Sequence, residues 1–236
     1  SAEHHHPARR ETQEILACSS GKAAPGTLRS WLSHPDQRVR MKGQFELARR
    51  NLPGIFVEVL NDPGATRLAN LHAVWGIGQI SRRNPGALSH LEAAWKSEDP
   101  EVIAQCAKVA GDITGHLAEV KQLKKHLLSA LRHPSPRTQF FAAISLGKHG
   151  INEAAPDLVK MLAEGGSRDP YLRHAAMMGL KGSLAPADIA SLHDHQDRTV
   201  RLGAIVALRN LESPEIRAFL KDEDELVLLE AARAIH

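Results

Sequence analysis

The sequence has few of the residues on which several protein classes depend. Of its 236 residues only 4% are aromatic, which disfavours a β-sandwich. No apolar run approaches the roughly 20 residues that a membrane-spanning helix needs. The only two cysteines, Cys18 and Cys106, lie far apart and form neither a CxxC nor a CxxCH pair. Their spacing therefore indicates no metal site and no covalently attached haem.

Catalytic motifs are missing as well. The chain contains no G-x-S-x-G, no P-loop, no G-x-G-x-x-G and no H-E-x-x-H. His193 and His195 flank Asp194, but metal ligands have to converge in space and need neighbouring groups that orient them. We interpret these three as solvent-exposed turn residues. We therefore expect a non-catalytic chain without a cofactor or a metal ion.

What the chain does have is an internal repeat. A mostly apolar anchor near the start of a candidate helix recurs every 27 to 36 residues, at Val39, Ala69, Val102, Thr138, Leu172, Val200 and Val227. The residue four places after each anchor is small in all seven repeats, and the residue eight places after it is apolar. Offsets of 4 and 8 lie on one helix face, so each first helix presents a narrow stripe for close packing.

The starts of these helices agree too. Three places before each anchor stands a residue whose side-chain oxygen can cap a helix. These cap residues are Asp36, Thr66, Asp99, Ser135, Asp169, Asp197 and Asp224. Seven helix starts are thus predicted from the same short pattern.

A second, shorter apolar segment follows each first helix, at 54–60, 86–95, 117–131, 155–165, 186–192 and 214–220. The unit is a helical hairpin, and stacked hairpins bury a continuous core. The sequence therefore predicts an all-α fold, an α-solenoid or superhelix of about seven hairpins. We expect a single domain over 1–236, with a degenerate N-terminal repeat at 1–33 and regular repeats at 34–236. The last repeat ends half way, as expected of an end cut from a longer protein.

The repeat resembles the short bacterial HEAT repeat, the PBS-lyase-like, armadillo-like kind with the shape D-P-x-V-R-x-x-A-A-x-A-L-G. DQRVRMKGQFELA, SPRTQFFAAISLG, DPYLRHAAMMGLK and DRTVRLGAIVALR carry it. The resemblance extends over about the whole chain. It implies HEAT-like hairpins, and it names no function, because such solenoids host many.

Five stretches between about residues 34 and 182 resemble a narrower group. They are HPDQRVRMKGQFELARR, RLANLHAVWGIGQISRR, AQCAKVAGD, RTQFFAAISLGKHG and RDPYLRHAAMMGLKG. Together they look like the HEAT segment of large exported bacterial proteins known as membrane-bound dehydrogenases or haem-binding proteins. In that family a glucose/sorbosone-dehydrogenase-like β-propeller precedes the segment and a cytochrome c domain follows it. The resemblance implies an exported or periplasmic redox protein whose chemistry lies in the flanking domains; otherwise we expect a cytoplasmic protein.

One second helix, at 117–132, is distinctly basic. Lys121, Lys124 and Lys125 lie on one of its faces, and Arg132 follows them. The neighbouring second helices are neutral or acidic, so a solvated face or a docking patch for an acidic partner is favoured over a nucleic-acid groove. Trp95, on another second segment, is a candidate partner contact if it is exposed.

We therefore expect a scaffold or protein-interaction module that binds a protein partner or flanking domains of the same chain, with its second helices lining the binding surface. The alternative is a nucleic-acid-binding or DNA-repair protein that uses helix 117–132. This alternative is disfavoured, and no membrane insertion is expected.

Two finer expectations concern the first helices. Arg40, Arg173 and Arg201 share the place just after the anchor, which predicts a ladder of ion pairs with the aspartate caps. His174 stands where the other repeats have an apolar residue, which predicts a partly buried histidine.

Overall fold

Helices and turns account for the regular structure throughout the described part of the chain. A computed structural model describes residues 7–115 and 117–235, and no strand occurs among them. The all-α prediction is thereby confirmed. The chain divides after Val109 into two compact units, each of which is described by itself. The expectation of a single domain stays a prediction.

Thirteen α-helices are found among the described residues. The first five are α1 (Pro7–Ala17), α2 (Pro25–Trp31), α3 (Gln37–Arg49), α4 (Pro53–Leu60) and α5 (Arg67–Ser81). They are followed by α6 (Pro100–Gly111), α7 (Leu117–Leu131), α8 (Pro136–Lys148) and α9 (Ala155–Gly165). The last four are α10 (Pro170–Ser183), α11 (Pro186–Ala190), α12 (Arg198–Arg209) and α13 (Glu225–Arg233). The predicted first helices are α3, α5, α6, α8, α10, α12 and α13.

The predicted caps begin all seven first helices. Each cap side chain accepts a hydrogen bond from a backbone N–H two or three places further on. Asp169, for example, accepts from the N–H groups of Tyr171 and Leu172 at 2.8 and 3.2 Å. These bonds satisfy donors that the helix itself leaves without a partner.

The small and apolar columns form the core, except that Ile235 of the last repeat is 48% exposed. All seven anchors and all seven small residues are buried, from Gly43 in α3 to Ala231 in α13. Within the first unit α3 packs on α5, and within the second α8, α10, α12 and α13 pack in succession. Side-by-side stacking of hairpins is the arrangement that a solenoid requires.

Three of the six predicted second segments, at 54–60, 117–131 and 155–165, are α-helices close to the predicted bounds, and the other three are shorter or less regular. Only α4, α7 and α9 are α-helices of eight residues or more, and α11 has five residues. The segments predicted at 86–95 and 214–220 form 3₁₀ helices instead, at Pro85–Leu91 with Ala94–Lys96 and at Pro214–Phe219. Segments this short offer few i→i+4 bonds, which favours the tighter 3₁₀ turn.

The arginine column has a different role from the one expected. Arg40 donates from Nη1 to the carbonyl oxygens of His34 and Pro35, both at 2.7 Å, and Arg173 donates to the carbonyl of Gly166 at 2.8 Å. Arg201 likewise binds the carbonyl of His195, and it also pairs with the carboxylate of Asp222 at 2.7 Å. All three arginines therefore bind the turn that precedes their own helix rather than a cap aspartate, and Arg201 also binds Asp222 in the turn before the next first helix.

A ladder between caps does exist, but other arginines form it. Arg67 at the start of α5 pairs with the cap Asp99 at 2.7 Å. In the second unit Arg198 at the start of α12 pairs with the cap Asp224 at 3.3 Å. Each of these arginines occupies the first helical position, and each reaches the cap of the next first helix.

Three histidines make the turn before a first helix. Nδ1 of His34, His133 and His195 accepts a hydrogen bond from the backbone N–H two residues later, at 3.0, 3.0 and 3.1 Å. The interpretation of His195 as a turn residue fits this geometry. These bonds fix the histidine tautomer, since the accepting nitrogen carries no proton.

Candidate partner-binding surface

Carboxylates of the next second helix pair with the basic helix α7. Lys124 pairs with Glu153, which precedes α9, and the lysine holds the pKa of that carboxyl below its ordinary value. Arg132 pairs with Asp157 of α9, with 2.7 Å between Nη2 and Oδ2. Two of the four predicted basic residues thus bind within the chain.

The remaining predicted site residues offer little surface. Lys125 is exposed on α7, whereas the side chain of Lys121 lies outside the residues that the structure describes. Trp95 is only 8% exposed, so it does not meet the condition of exposure on which its partner role depended. Of the predicted residues whose side chains the structure describes, Lys124 and Arg132 are paired with carboxylates, Trp95 is buried and Lys125 is exposed.

Exposed apolar side chains lie on the first helices instead. In the second unit several of them, among them Tyr171, Leu226 and Leu229, occupy the places one before or two after the anchor. Tyr171, the only tyrosine of the chain, is 74% exposed there, and Phe140 and Leu202 are half-buried. His174 lies one turn after Tyr171 and is exposed, so the expectation of a partly buried histidine was wrong. In the second unit the same column holds Phe140 and Leu202, which are half-buried, so a polar residue at this place is not penalised.

The N-terminal turns of α8 and α10 enclose a groove on this face. Its volume is about 430 Å³, and its lining consists of Pro136, Arg137, Phe140, Asp169, Tyr171 and Leu172. The rings of Phe140 and Phe141 meet edge to face with 5.2 Å between their centroids. The guanidinium carbon of Arg137 lies 5.1 Å from the centroid of the Phe141 ring. The result is an apolar depression lined by one basic and one acidic side chain, Arg137 and Asp169.

The first unit shows the same tendency on its own first helices. Phe45 of α3 and Leu68 of α5 are 47% and 45% exposed. Leu68 occupies the place before its anchor, as Tyr171 does in α10. Large apolar side chains are thus exposed on first helices in both units.

A buried polar network crosses the first helices of the first unit. Nδ1 of His72 in α5 lies 2.6 Å from Oε1 of Gln44 in α3, and its ring meets that of Trp75 edge to face. Trp75 donates to Oε1 of Gln105 in α6 at 2.9 Å. Burial, with a smaller effect from Arg40, lowers the pKa of His72 from 6.5 to about 4. His72 is therefore neutral at physiological pH and holds two helices together.

Part of this exposed surface could have been found from the sequence. One place before the anchor, three of the seven repeats carry a large apolar residue, namely Leu68, Tyr171 and Leu226, and the other four carry Arg38, Glu101, Arg137 and Thr199. The charged residues of the second helices instead predict a binding surface on those helices. Charged side chains of neighbouring second helices pair with one another, and only the structure shows these pairs.

Two kinds of feature are absent from the described part of the chain. None of its helices combines the length and apolar character that crossing a bilayer requires. No group of three or more histidine, cysteine, aspartate or glutamate side chains there is arranged to hold a metal ion.

Comparison with known proteins bears on the fold. No protein-family model matches the sequence, and no curated protein does. Among solved structures, the crystal structure of YibA from Escherichia coli matches with a TM-score of 0.55. It is 13% identical, and the match covers 95% of this chain and 85% of that one. At this identity the likeness shows the fold alone, and together with the stacked hairpins it supports the predicted all-α solenoid class.

Proposed function

We propose that this chain is a non-catalytic scaffold that binds a protein partner through the outward face of its first helices. The observation that carries the proposal is the groove between α8 and α10, where Tyr171, Phe140 and Arg137 meet. Tyrosine and arginine are enriched among the residues that dominate binding energy at protein interfaces. An exposed tyrosine with so little of its surface packed in the core indicates a contact made outside the chain.

The alternative of nucleic-acid binding depended on the basic side chains of α7. A phosphate-binding surface needs several basic side chains in one exposed patch. On α7, however, Lys124 and Arg132 are engaged by Glu153 and Asp157. A protein partner is the better supported of the two proposals, because the exposed surface is aromatic and apolar.

The wider context rests on resemblance. Five stretches of the sequence look like the HEAT segment of exported redox proteins, and the helical hairpins agree with a HEAT-like repeat. Membership of such a protein and export stay predictions. In that setting the outward face would bind a flanking domain or a separate partner.

A selection experiment tests the proposed function. We would display a random library of short linear peptides on phage, select on the wild-type protein, and repeat the selection on the Tyr171→Ala variant. Since Tyr171 is largely exposed, its replacement should leave folding intact, and we expect most enriched peptides to lose binding to the variant. Leu220→Ala removes another exposed apolar side chain of the same unit and serves as the matched control. Peptides that bind the wild type and both variants equally would contradict the proposal.

A further inference from the structure

Large exposed apolar side chains are concentrated at and around helix α13. Of the eight that occur in the described part of the chain, five belong to this region, and they are 37–52% exposed: Leu220, Leu226, Leu228, Leu229 and Ile235. Together they present on the order of 300–400 Å² of apolar surface, the size of the patches that mark contact sites on proteins. A surface of this size indicates a contact with another molecule.

The exposed face of α13 has apolar residues in its middle and one charge at each end. It is formed by five exposed residues at helical spacings, which are Glu225, Leu226, Leu229, Ala232 and Arg233. Val227 and Ala231 lie on the other side of the helix and are buried in the core. The apolar part of the face is thus bounded by a carboxylate at the start of the helix and a guanidinium at its end.

The surroundings of α13 strengthen this difference in charge. The segment KDEDE at 221–225 contains four carboxylates and one lysine, and two of the carboxylates pair with arginines of α12. The carboxylates of Glu223 and Glu225 are exposed. At the other end, Arg209 and Arg233 share the carboxylate of Glu230, at 4.0 and 3.1 Å, and the Arg233 side chain is 62% exposed. The helix therefore starts in an acidic region and ends in a basic one.

We infer that this face of α13 binds the same face of a second copy of the chain, with the two helices antiparallel. A two-fold axis beside Leu229 places that side chain against its own copy. Glu225 and Arg233 lie at equal distances along the chain on either side of Leu229, so the same axis sets Glu225 opposite the partner's Arg233 at both ends of the pair. Leu226 then lies opposite the partner's Ala232, so a large side chain meets a small one.

The complementary charges favour a second copy over an unrelated partner, because one arrangement satisfies both ends of both helices. A standard interface buries about 800 Å² on each partner, and about half of that area is present here as exposed apolar surface. We therefore expect a reversible dimer with a dissociation constant on the order of 10 µM. The inference goes beyond the proposed function and does not depend on the α8–α10 groove.

Mixing two charge variants tests the inference. Glu225→Arg sets two arginines opposite each other at both ends of the pair, and Arg233→Glu sets two glutamates there. Each variant alone should dimerise at least about tenfold more weakly than the wild type, because both symmetric contacts change together. In an equimolar mixture every arginine meets a glutamate again, so a heterodimer should form. Sedimentation equilibrium measures all samples at concentrations above the wild-type dissociation constant.

Two further variants serve as controls. Glu164→Arg makes the same change in net charge at an exposed place on α9, and it should leave the dimer unchanged. Leu229→Glu sets two carboxylates against each other at the axis, and it should weaken the dimer by a similar factor. Circular dichroism shows whether each variant is folded. Recovery in the mixture cannot come from two unfolded variants, so it separates loss of pairing from loss of folding.

The outcomes distinguish the inference from the proposed function. A wild-type chain that stays monomeric would overturn the inference and leave another protein as the occupant of this face. A dimer that both charge reversals leave intact, or charge variants that do not recover on mixing, would overturn it as well. The proposed function would stand in each case, because Tyr171-dependent peptide binding is measured separately at the α8–α10 groove.

Discussion

Replacing Gly182 by alanine is expected to lower the free energy of unfolding by about 2–3 kcal/mol, the upper range for overpacking a close contact. A Cβ on Gly182 of α10 would lie 2.1 Å from the carbonyl oxygen of Gly147 in α8 and 2.5 Å from its carbonyl carbon. Both atoms belong to the backbone, so no side chain can rotate away. The two helices would have to separate, and Gly147 itself contacts the backbone of Gly179.

The expected loss of stability is opposite in sign to the usual effect of this substitution, so it tests whether α8 and α10 approach closely. Glycine to alanine inside a helix ordinarily stabilises by up to about 1 kcal/mol, because alanine restricts the unfolded chain and favours the helix. Gly54→Ala in α4 is the matched control, since a Cβ there would have nothing within 4 Å. Urea unfolding followed by circular dichroism measures both variants. A Gly182→Ala protein as stable as the control would mean that α8 and α10 do not approach this closely.

The second large effect is a pH dependence that originates at His72. Above pH 6.5 this histidine is neutral in the folded and the unfolded chain, so it adds no dependence on pH. Between pH 6.5 and about 4 the unfolded chain takes up a proton that the folded chain excludes, and stability falls as the pH is lowered. At about 1.4 kcal/mol per pKa unit, His72 should cost about 2 kcal/mol between pH 7.5 and pH 5.

Comparison with His72→Gln isolates this contribution. Glutamine keeps a donor for Gln44 but does not titrate, so the variant should lose about 2 kcal/mol less than the wild type over the same pH interval. The measured quantity is the difference between the two proteins in the free energy of unfolding at each pH. The contributions of the other histidines are the same in both proteins and cancel in this difference. Parallel curves for the two proteins would show that His72 titrates normally and is not buried as described.

Much of the fold could be predicted because its determinants are local. The caps from Asp36 to Asp224 and the small residues from Gly43 to Ala231 recur at fixed offsets, and each acts within its own helix or on its immediate neighbour. Burial and capping bonds confirm both columns. The short segments near Pro85 and Pro214 escaped correct prediction because apolar content does not distinguish a 3₁₀ turn from a short α-helix.

The candidate site was predicted less well, since it depends on direction and on distant partners. An arginine at the position of Arg173 can pair with a cap aspartate or bind a carbonyl oxygen of the preceding turn. Only the direction of its side chain decides between these two roles. Likewise, the sequence of α7 predicts a basic patch, and only the structure shows that Glu153 and Asp157 lie beside it. The sequence shows which residues are charged and can form ion pairs, but it does not show which residues they pair with.

The claim that the outward face of the first helices is the binding surface can be mapped directly by NMR. The isotope-labelled protein would be titrated with the most enriched peptide of the selection, and backbone amide shifts would be followed. We predict that the largest changes fall in the first turns of α8 and α10, around Phe140 and Tyr171. Changes centred on the second helices α7 and α9, around Lys125 and Lys160, would contradict the account.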